Sequence, residues 1–355
     1  MTDNSDEKRR YHAYTRRKVI FCFLCIGLCF ISLGVGVWAG KYDIGFFEAY
    51  EVLFDHLMGN GAKNGMNDTV VWDVHLTRAL AGLIGGAALG VAGAVMQSSM
   101  KNPLADPYTT GIASGASLGA TLAIICGFSV LPGLFADTAV VVNAFCFALI
   151  PAMAIILIST FKRNMSPTSI ILISIAIMYV FSATDTLLKV STTVEKLADA
   201  YVWGVGTLGR VTWESIPLMA VVTAAGIAFF MIVNQKVNVL SLNDSSVVAL
   251  GENPKVLRIA FMVIVAMMTS VIVAFTGTIG FVGLVAPHIV RLLIGSDCRY
   301  LIPASACFGA AFLMGCDCIA RMLTATGLPV GVVTSIIGGP MFIYILIKMR
   351  SKSMW

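Results

Sequence analysis

The sequence predicts an all-α polytopic membrane protein with ten transmembrane helices. Of its 355 residues, 58% are hydrophobic and only 12% are charged, whereas a soluble domain carries about a quarter charged residues. Apolar runs that can supply a span of about 20 residues recur along the chain, and they are too continuous for barrel strands of about 10 alternating residues. A soluble enzyme is therefore excluded. Nucleic-acid binding is excluded as well, because the net charge of +5 is not gathered on one basic face.

The first span follows a polar segment with a basic end. Residues 1–18 finish with Arg16, Arg17 and Lys18, and an apolar run follows over 19–40. This run is longer than the apolar part of a signal peptide and has no clear cleavage site. We therefore predict a retained first transmembrane helix.

Nine further apolar runs follow the first. They cover residues 71–98, 108–127, 138–161, 168–190, 215–234, 255–275, 279–294, 301–323 and 329–347. Two of them are unusual: the second run of the chain carries His75 and Arg78 near its start, and the eighth is short and interrupted by Pro287. We predict one transmembrane helix from each run.

Glycines are dense in the second and third spans. Gly86 and Gly90 lie four residues apart in the second, and Gly111, Gly115 and Gly119 repeat at the same interval in the third. Small residues at this spacing let membrane helices approach closely. The pattern indicates a tightly packed bundle and, by itself, no more.

The charges between the spans indicate the orientation. With the N-terminus inside, the cytoplasmic segments hold most of the 24 Lys and Arg residues, as basic residues favour the cytoplasmic side. We therefore place both termini in the cytoplasm. Residues 1–18 and 348–355 are assigned to cytoplasmic tails, and 19–347 to the ten-helix membrane domain.

The sequence contains no catalytic or nucleotide-binding pattern. No H-E-x-x-H, G-x-S-x-G or G-x-x-x-x-G-K-[ST] motif occurs. Cys22, Cys25 and Cys29 share one face of the first span, where a thiol or metal site is one interpretation and small apolar packing, which we favour, is the other. We predict no enzyme activity, no metal site and no cofactor in this chain, so a separate subunit must supply any ATPase.

Four segments rich in glycine, proline or polar residues interrupt the apolar pattern. They cover residues 101–107, 238–258, 276–291 and 328–340. Pro103 and Pro107 make the first a rigid turn. The third would break a helix at membrane depth, which is tolerated only where the backbone is buried in protein or lines a cavity, and the fourth opens the last span.

The 238–258 segment is the longest predicted cytoplasmic loop between spans. Asn243 or Asp244 can cap a short helix that ends at Gly251. A short helix held beneath the bundle suits the docking of a soluble partner. An interfacial helix lying on lipid is the alternative, and the sparse basic content counts against it.

These four segments, in this order, resemble the FecCD-type permeases of ABC importers for iron-siderophores, haem and cobalamin. The matching stretches include NPLADP, GIASGASLGA, ALGENP, GTIGFVGLVAPHIVRLLIGSDCRYLIPAS and GLPVGVVTSIIGGPMFIYIL, and the likeness covers residues 20–350. The resemblance implies the type II ABC importer permease fold, a homodimer with the translocation path at its interface, two ATPase subunits and an extracytoplasmic substrate-binding protein. ATP and Mg²⁺ would then bind in the ATPase subunits.

The resemblance also implies roles for particular residues. The ATPase-docking helices fall at about 241–251, and the residues implied there are Ser241, Leu242, Asp244, Ser245, Ala249, Leu250, Gly251 and Glu252. The residues implied at the cytoplasmic gate are Asn102, Pro103, Leu104, Pro167 and Thr168. Movement of the docking helices would tilt the two permease halves and alternate access to a weakly interacting cavity.

On the outer face, the resemblance implies basic residues that meet acidic residues of the binding protein. Arg78 and Arg321 match such positions, but His75 and Thr77 replace the first arginine and the proline of the family's R-L-P-R pattern. We expect His75, Arg78 and Arg321 to form a docking surface with a reduced arginine set. An ion pair between Arg321 and Asp317, four residues earlier on the same helix face, is the alternative.

Asp185 and Lys189 are a second charged pair at this spacing, near the outer end of the fifth span. A charge in a membrane helix is a candidate functional site, and mutual neutralisation is the alternative. An ion-coupled secondary transporter is the rival to the ABC permease, and it would carry buried carboxylates near the bilayer midplane. We expect a cargo in the class of iron-siderophores, haem and cobalamin.

Overall fold

The protein is all-helical in a computed structural model that describes residues 4–40, 42, 44–59, 65–161, 167–323 and 328–349. Helices hold 83% of the residues, and the described part of the chain has no strand. In chain order the α-helices are α1 (Asn4–Trp38), α2 (Phe46–Leu57), α3 (Met66–Thr69), α4 (Thr77–Ser99), α5 (Ile112–Cys126), α6 (Ala136–Phe161), α7 (Pro167–Val190), α8 (Val194–Gly204), α9 (Ile216–Ile232), α10 (Asn234–Leu240), α11 (Asp244–Ala249), α12 (Pro254–Thr276), α13 (Val282–Ile294), α14 (Cys298–Leu323) and α15 (Val330–Met349).

Each predicted span coincides with a helix, but the helices differ in length. The stretches long and apolar enough to cross a membrane are Thr15–Trp38, Met66–Ser99, Ala136–Ile158, Thr168–Val190, Pro254–Thr276 and Cys298–Leu323. Among the described residues this makes 6 spans, or 7 if α9 and α10, which meet at a bend of 67°, are counted as one. Shorter apolar helices lie at Ile112–Cys126, Val282–Ile294 and Val330–Tyr344. The total of ten membrane crossings therefore stays a prediction.

Helix α13 is too short to cross the hydrocarbon core of a membrane by itself. Its 13 residues rise about 20 Å at 1.5 Å per residue, less than the hydrocarbon thickness of about 30 Å. Pro287 lies inside this helix rather than interrupting it. The hydrogen bond that proline removes falls on the carbonyl of Gly283, in the first turn, where an interruption matters least.

The second span is unusually long because it consists of three consecutive helical segments. Met66–Thr69 is α-helical, Val70–Leu76 is a π-helix, and α4 follows directly. The π-helical turn, which is often found at functional sites, carries the predicted site residue His75. Trp72 lies in the same turn and stacks on Trp213, with ring centroids 5.0 Å apart.

The core is built around the contact between α4 and α14. A Cβ atom added at Gly86 would overlap the backbone of Gly309, and one at Gly90 would overlap the backbone of Ser305. A Cβ at Gly115 of α5 would similarly meet the carbonyl of residue 147 in α6. The small residues thus serve close helix packing, as their spacing predicted.

The third Gly/Pro segment separates α12 from α13, as predicted, and the fourth opens α15 beside it. The amide of Gly206 donates to the carbonyl of Thr278 at 3.1 Å, and the amide of Gly331 donates to the carbonyl of Gly206 at 2.9 Å. These bonds satisfy backbone groups between helices that would be costly to leave unpaired. The broken backbone is therefore buried in protein.

Helix α2 is one of those that the sequence did not predict. The amphipathic α2 places Ala49 and Val52 inward and carries Glu48 in its first turn. Its 12 residues are too few, and too often acidic, to register as an apolar run of span length. It lies between α1 and the second span and forms its own small core with Val37, Ile44 and Val71.

Candidate functional site

Two clusters of charged side chains lie at opposite ends of α4. The Asp244 cluster consists of Lys101, Asp244 and Arg258, and the Asp317 cluster consists of Arg78, Asp317 and Arg321. The 23 residues of α4 separate them by about 35 Å at 1.5 Å per residue. This is close to the thickness of a hydrocarbon core, so each cluster falls near one membrane surface.

Asp244 accepts hydrogen bonds from two cations. The Nζ atom of Lys101 lies 2.8 Å from Oδ1. Arg258 donates from Nη2 to Oδ1 at 2.6 Å and from Nη1 to Oδ2 at 3.0 Å. Hydrogen bonds from Arg258 and then Lys101 hold the pKa of Asp244 well below its usual range, although partial burial opposes them. The carboxylate is therefore ionised at neutral pH.

Local sequence signals set the bounds of α11, which carries Asp244. Asn243 takes an extended conformation at the N-cap, and Gly251 adopts a φ of +82° two residues after the helix. Asn253 caps the next helix by accepting from the amides of Lys255 and Val256 at 3.1 and 3.3 Å. The predicted short helix is confirmed. Asn243 makes no side-chain capping bond, and Asp244 is held in its ion pairs instead.

The predicted ATPase-docking residues divide into two groups. Six of them are exposed: Ser241, Leu242, Ser245, Ala249, Leu250 and Gly251. Asp244 and Glu252 are committed to ion pairs within the chain, the latter to Lys236 at 2.9 Å. Val248 is 61% exposed beside Leu250, so α11 presents apolar side chains outward. Sequence reasoning missed Val248, which the outward face of the helix identifies.

Residue Asn238 fastens α10 to the turn between α13 and α14. Its Nδ2 donates to Oδ1 of Asp297 at 3.1 Å, and its Oδ1 accepts from the amide of Cys298 at 2.8 Å. A groove of about 490 Å³ lies here and is lined by Gln235, Asn238, Val239, Ser241, Ser296, Asp297 and Arg299. One of its lining residues, Ser241, is among the predicted docking residues.

The 101–106 turn contains three of the predicted gate residues. Asn102 accepts at Oδ1 from the amide of Leu104 at 2.9 Å, and this bond tightens the turn around Pro103. Leu104 is 45% exposed. Thr168 is exposed in the first turn of α7, whereas the side chain of Pro167 lies outside the described residues. The gating role of these five residues stays a prediction.

Asp106 closes the turn with a buried carboxyl group. The residue is 4% exposed, and its Oδ1 accepts from the amide of Tyr108 at 3.3 Å. Burial raises the pKa of Asp106 to about 7, and the Tyr108 amide opposes this only in part. Sequence reasoning treated Asp106 as a turn residue, because nothing in the local pattern indicates burial.

The Asp317 cluster is buried between helices. Arg78 donates from Nε to Asp317 Oδ1 at 2.9 Å, and Arg321 Nε lies 3.0 Å from Oδ2 without aiming its hydrogen at it. Arg321 also donates to the carbonyl of Gly36 at 3.0 Å. Asp317 is completely buried and Arg321 is 5% exposed. The alternative predicted for Arg321, a pair with Asp317 on its own helix, is present.

The predicted binding-protein contacts are therefore not an exposed set. His75 is 2% exposed, and its Nδ1 lies 2.9 Å from the carbonyl of Val37. The side chain of Arg78 is 14% exposed. These two and Arg321 join α1, the second span and α14, a structural contribution that their positions in the sequence did not reveal. Their role in docking stays a prediction.

Asp185 and Lys189 form the other predicted pair. Their Oδ2 and Nζ atoms are 2.7 Å apart, and Ser117 of α5 donates to the same carboxylate oxygen at 3.0 Å. Lys189 Nζ also lies 5.5 Å from the centre of the Tyr201 ring of α8. Mutual neutralisation, one of the two alternatives, is what the geometry favours, and the pair holds three helices together.

Comparison with known proteins decides the family. A sequence profile of the FecCD transport family matches residues 24–348. The chain belongs to the FecCD transport family. A Methanocaldococcus jannaschii protein assigned as an ABC transporter permease is 38% identical over 98% of this chain and 99% of its own length. The iron(3+)-hydroxamate import system permease protein of Bacillus subtilis is 33% identical over 92% of this chain and 83% of its own length.

Other FecCD relatives and a solved structure agree with this assignment. The vitamin B12 import system permease protein of Klebsiella pneumoniae is 36% identical over 79% of this chain and 83% of its own length. A solved structure of a protein assigned as a metal-chelate type ABC transporter, in an inward-facing conformation, is similar with a TM-score of 0.79 and 26% identity. The likeness covers 93% of this chain and 99% of the solved chain.

Membership of the FecCD family establishes the general role of the chain. It is a non-enzymatic, multi-pass permease subunit of an ABC transporter in the plasma membrane, and the ATPase is a separate subunit. The iron-siderophore, haem and cobalamin substrates expected from the sequence match the names of its relatives. The general role of an ABC transporter permease therefore replaces the alternative interpretation, an ion-coupled secondary transporter.

Proposed function

We propose that this chain is the permease of a binding-protein-dependent ABC importer that carries an iron chelate, haem or a cobalamin by alternating access. The observation that carries the proposal is the arrangement of α11. This short helix exposes Val248, is followed by exposed Leu250, and is held beneath the bundle by the ion pair between Asp244 and Arg258. An exposed apolar patch rimmed by polar residues suits a protein partner. The named cargoes of relatives supply the substrate class.

The proposed assembly contains two copies of this chain and two ATPase subunits. Only 17% of the apolar window of α7 is buried within one chain, and Leu172, Val180 and Leu187 are exposed along it. A second copy would cover part of this face, lipid the rest, and the translocation path would lie between the copies. ATP and Mg²⁺ would bind in the ATPase subunits, which dock at α11 on the cytoplasmic side with both tails.

An extracytoplasmic binding protein would deliver the cargo to the opposite side. Arg78, with part of its side chain exposed, is the candidate contact among the three predicted residues. His75 and Arg321, which are buried, would then stabilise the helices that position Arg78. The path itself would be apolar and bind cargo weakly, since a large chelate must also leave.

The test begins with the tagged chain purified in mild detergent. We expect a P-loop ATPase to co-purify in equal amount, and a Leu250→Glu exchange on the docking surface to abolish its retention. Ser191→Glu is the matched control, because Ser191 is exposed in the turn after α7, away from the docking surface.

The complex is then reconstituted with its binding protein in vesicles. Ferric hydroxamate, ferric citrate, haem and cobalamin are offered separately, with ATP inside or absent. ATP-dependent uptake of one of them supports the proposal and names the cargo. Uptake that follows an ion gradient without ATP, or reproducible absence of any ATPase from a folded chain, would overturn it.

A further inference from the structure

The contact between Lys101 and Asp244 joins two elements with different proposed roles. Lys101 opens the 101–106 turn, which contains three of the five predicted gate residues and is called the gate turn below. Asp244 begins α11, the proposed docking helix. The two residues are 143 positions apart in the sequence, and their side chains meet at 2.8 Å. A direct link between the docking surface and the gate turn therefore exists within one chain.

Lys101 holds a backbone conformation that favours glycine. Its φ is +51°, its amide donates to the carbonyl of Ser98, and the amide of Asn102 donates to the carbonyl of Gln97 at 3.2 Å. These two bonds form a Schellman ending of α4, in which glycine usually occupies the left-handed position. A lysine here accepts backbone strain, and a strained residue is a reason to look for a role of its side chain.

Arg258 makes the link specific. Its side chain is only 4% exposed, and its Nε donates to the carbonyl of Ser99, at the last turn of α4, at 3.1 Å. The same guanidinium donates hydrogen bonds to both carboxylate oxygens of Asp244. Arg258 thus supplies a fixed pivot in α12, while Lys101 supplies the connection to the gate turn.

We propose that Lys101 is a positioning residue that makes the gate turn follow the docking helix, through its ion pair with Asp244. When the ATPase subunits displace α11, the carboxylate pulls on Lys101 and moves the backbone at Asn102–Leu104. This inference rests on the proposed function, and it adds a residue and a route for the coupling of that function.

The exposure of the pair suits a contact that transmits motion rather than one that stabilises the fold. The side chain of Lys101 is 25% exposed and that of Asp244 is 45% exposed. Ion pairs with this much solvent contribute little to stability. Loss of Lys101 is therefore expected to change coupling and leave folding intact.

The test measures the gate turn directly in the complex with the co-purified ATPase. Leu104→Cys, at an exposed position without a side-chain hydrogen bond, is labelled with a membrane-impermeant maleimide. Labelling rates are compared in the resting state and after trapping with ATP and orthovanadate. The chain that keeps Leu104 is labelled in parallel to subtract the native cysteines. Coupling of this kind typically changes an equilibrium by about 5–150-fold, so we expect trapping to change the rate by about tenfold.

Three exchanges of Lys101 separate charge from backbone conformation. Lys101→Gly and Lys101→Asn tolerate the positive φ but lack the charge, whereas Lys101→Arg keeps the charge. We expect the first two to retain vanadate-trapped nucleotide and an unfolding temperature no lower than the parent's, because both residues adopt a positive φ more easily than lysine. They should nevertheless lose the change in labelling, and Lys101→Arg should keep it. Lys236→Asn is the matched control, because it removes the Glu252 ion pair of the same loop without touching the gate turn.

The outcomes distinguish this inference from the function on which it rests. If the parent shows no change in labelling on trapping, or if Lys101→Gly and Lys101→Asn change as the parent does, the coupling role of Lys101 is overturned while the importer stands. Equal losses in Lys236→Asn and Lys101→Asn would also overturn it. If no ATPase accompanies the unmodified chain, the proposed function itself has failed.

Discussion

Arg258 holds Asp244 with two parallel hydrogen bonds, from Nη2 to Oδ1 at 2.6 Å and from Nη1 to Oδ2 at 3.0 Å. Such a bidentate geometry is available to arginine and not to lysine. The guanidinium is buried and the carboxylate is half exposed, so the arginine is the fixed partner. The relationship decides where α11 sits relative to α12 and α4.

We expect Arg258→Gln to destabilise the protein. It removes both bonds to Asp244 and the bond to the Ser99 carbonyl, and hydrogen bonds to charged groups contribute about 1.5–3 kcal/mol each when buried. Because Asp244 is partly solvated and keeps Lys101, the loss of unfolding free energy should be about 1–3 kcal/mol. Thermal unfolding in detergent measures it, with Lys236→Gln as the exposed ion-pair control. Equal unfolding temperatures for the two variants would show that the pair does not hold α11.

The pH dependence of stability should report on Asp106. Its pKa is raised by burial to about 7 in the folded protein, above an unfolded value of about 3.9. The folded state therefore binds a proton on Asp106 more tightly than the unfolded state does. The contribution of this group to the free energy of unfolding is fully present below the unfolded pKa and is lost as the pH rises towards 7. The fall is at most about 4 kcal/mol, at 1.36 kcal/mol per pKa unit.

Asp106→Asn isolates this dependence. The amide oxygen can still accept from the Tyr108 amide but does not ionise, so the variant should lose less stability than the parent between pH 5 and pH 8, a window spanning the pKa of about 7. Unfolding temperatures of the two proteins across this range measure the difference. If the two curves run parallel, the buried carboxyl group is not the source of the pH dependence.

Close packing of α4 on α14 predicts a cost for added volume at Gly90. A Cβ atom there meets the backbone of Ser305, which cannot move aside as a flexible side chain can. Overpacking typically costs about 1–3 kcal/mol, and Gly90→Ala should lower the unfolding temperature accordingly. Gly27→Ala in α1 is the control, because no atom lies within 4 Å of its added Cβ. Similar behaviour of both variants would contradict the packing argument.

The positions of the long helices could be predicted because each rests on a local property, an uninterrupted apolar run. The short helix at 244–249 was predictable for a similar reason: Asn243 and Gly251 are nearby signals. The amphipathic α2 was not, since its 12 residues lack the length of a span. Local patterns also fail for contacts such as Lys101 with Asp244, 143 residues apart, because nothing near either residue encodes the other. The burial of Asp106 and Arg321 follows from tertiary packing in the same way.

Arg321 provides the sharpest test of docking against structure. If it serves the Asp317 cluster, Arg321→Met should lower the unfolding temperature, because the buried Asp317 loses one of its two cations. The cost should stay below the roughly 3–5 kcal/mol of breaking an isolated buried pair, since Arg78 still neutralises the carboxylate. Asp317→Asn should cost more, because it leaves two arginines facing each other without an acid.

The same variants separate the two roles in the assembled transporter. If the role of Arg321 is structural, the Arg321→Met protein that remains folded should still be stimulated by the binding protein, measured as ATPase activity per folded complex. If Arg321 contacts the binding protein, the variant should keep the parental unfolding temperature and lose the stimulation. The 5% exposure of this residue leaves little surface for a partner to reach, so we expect the first result. Arg78, whose guanidinium lies nearer the surface, is then the arginine at which exchange to Gln should weaken the response to the binding protein.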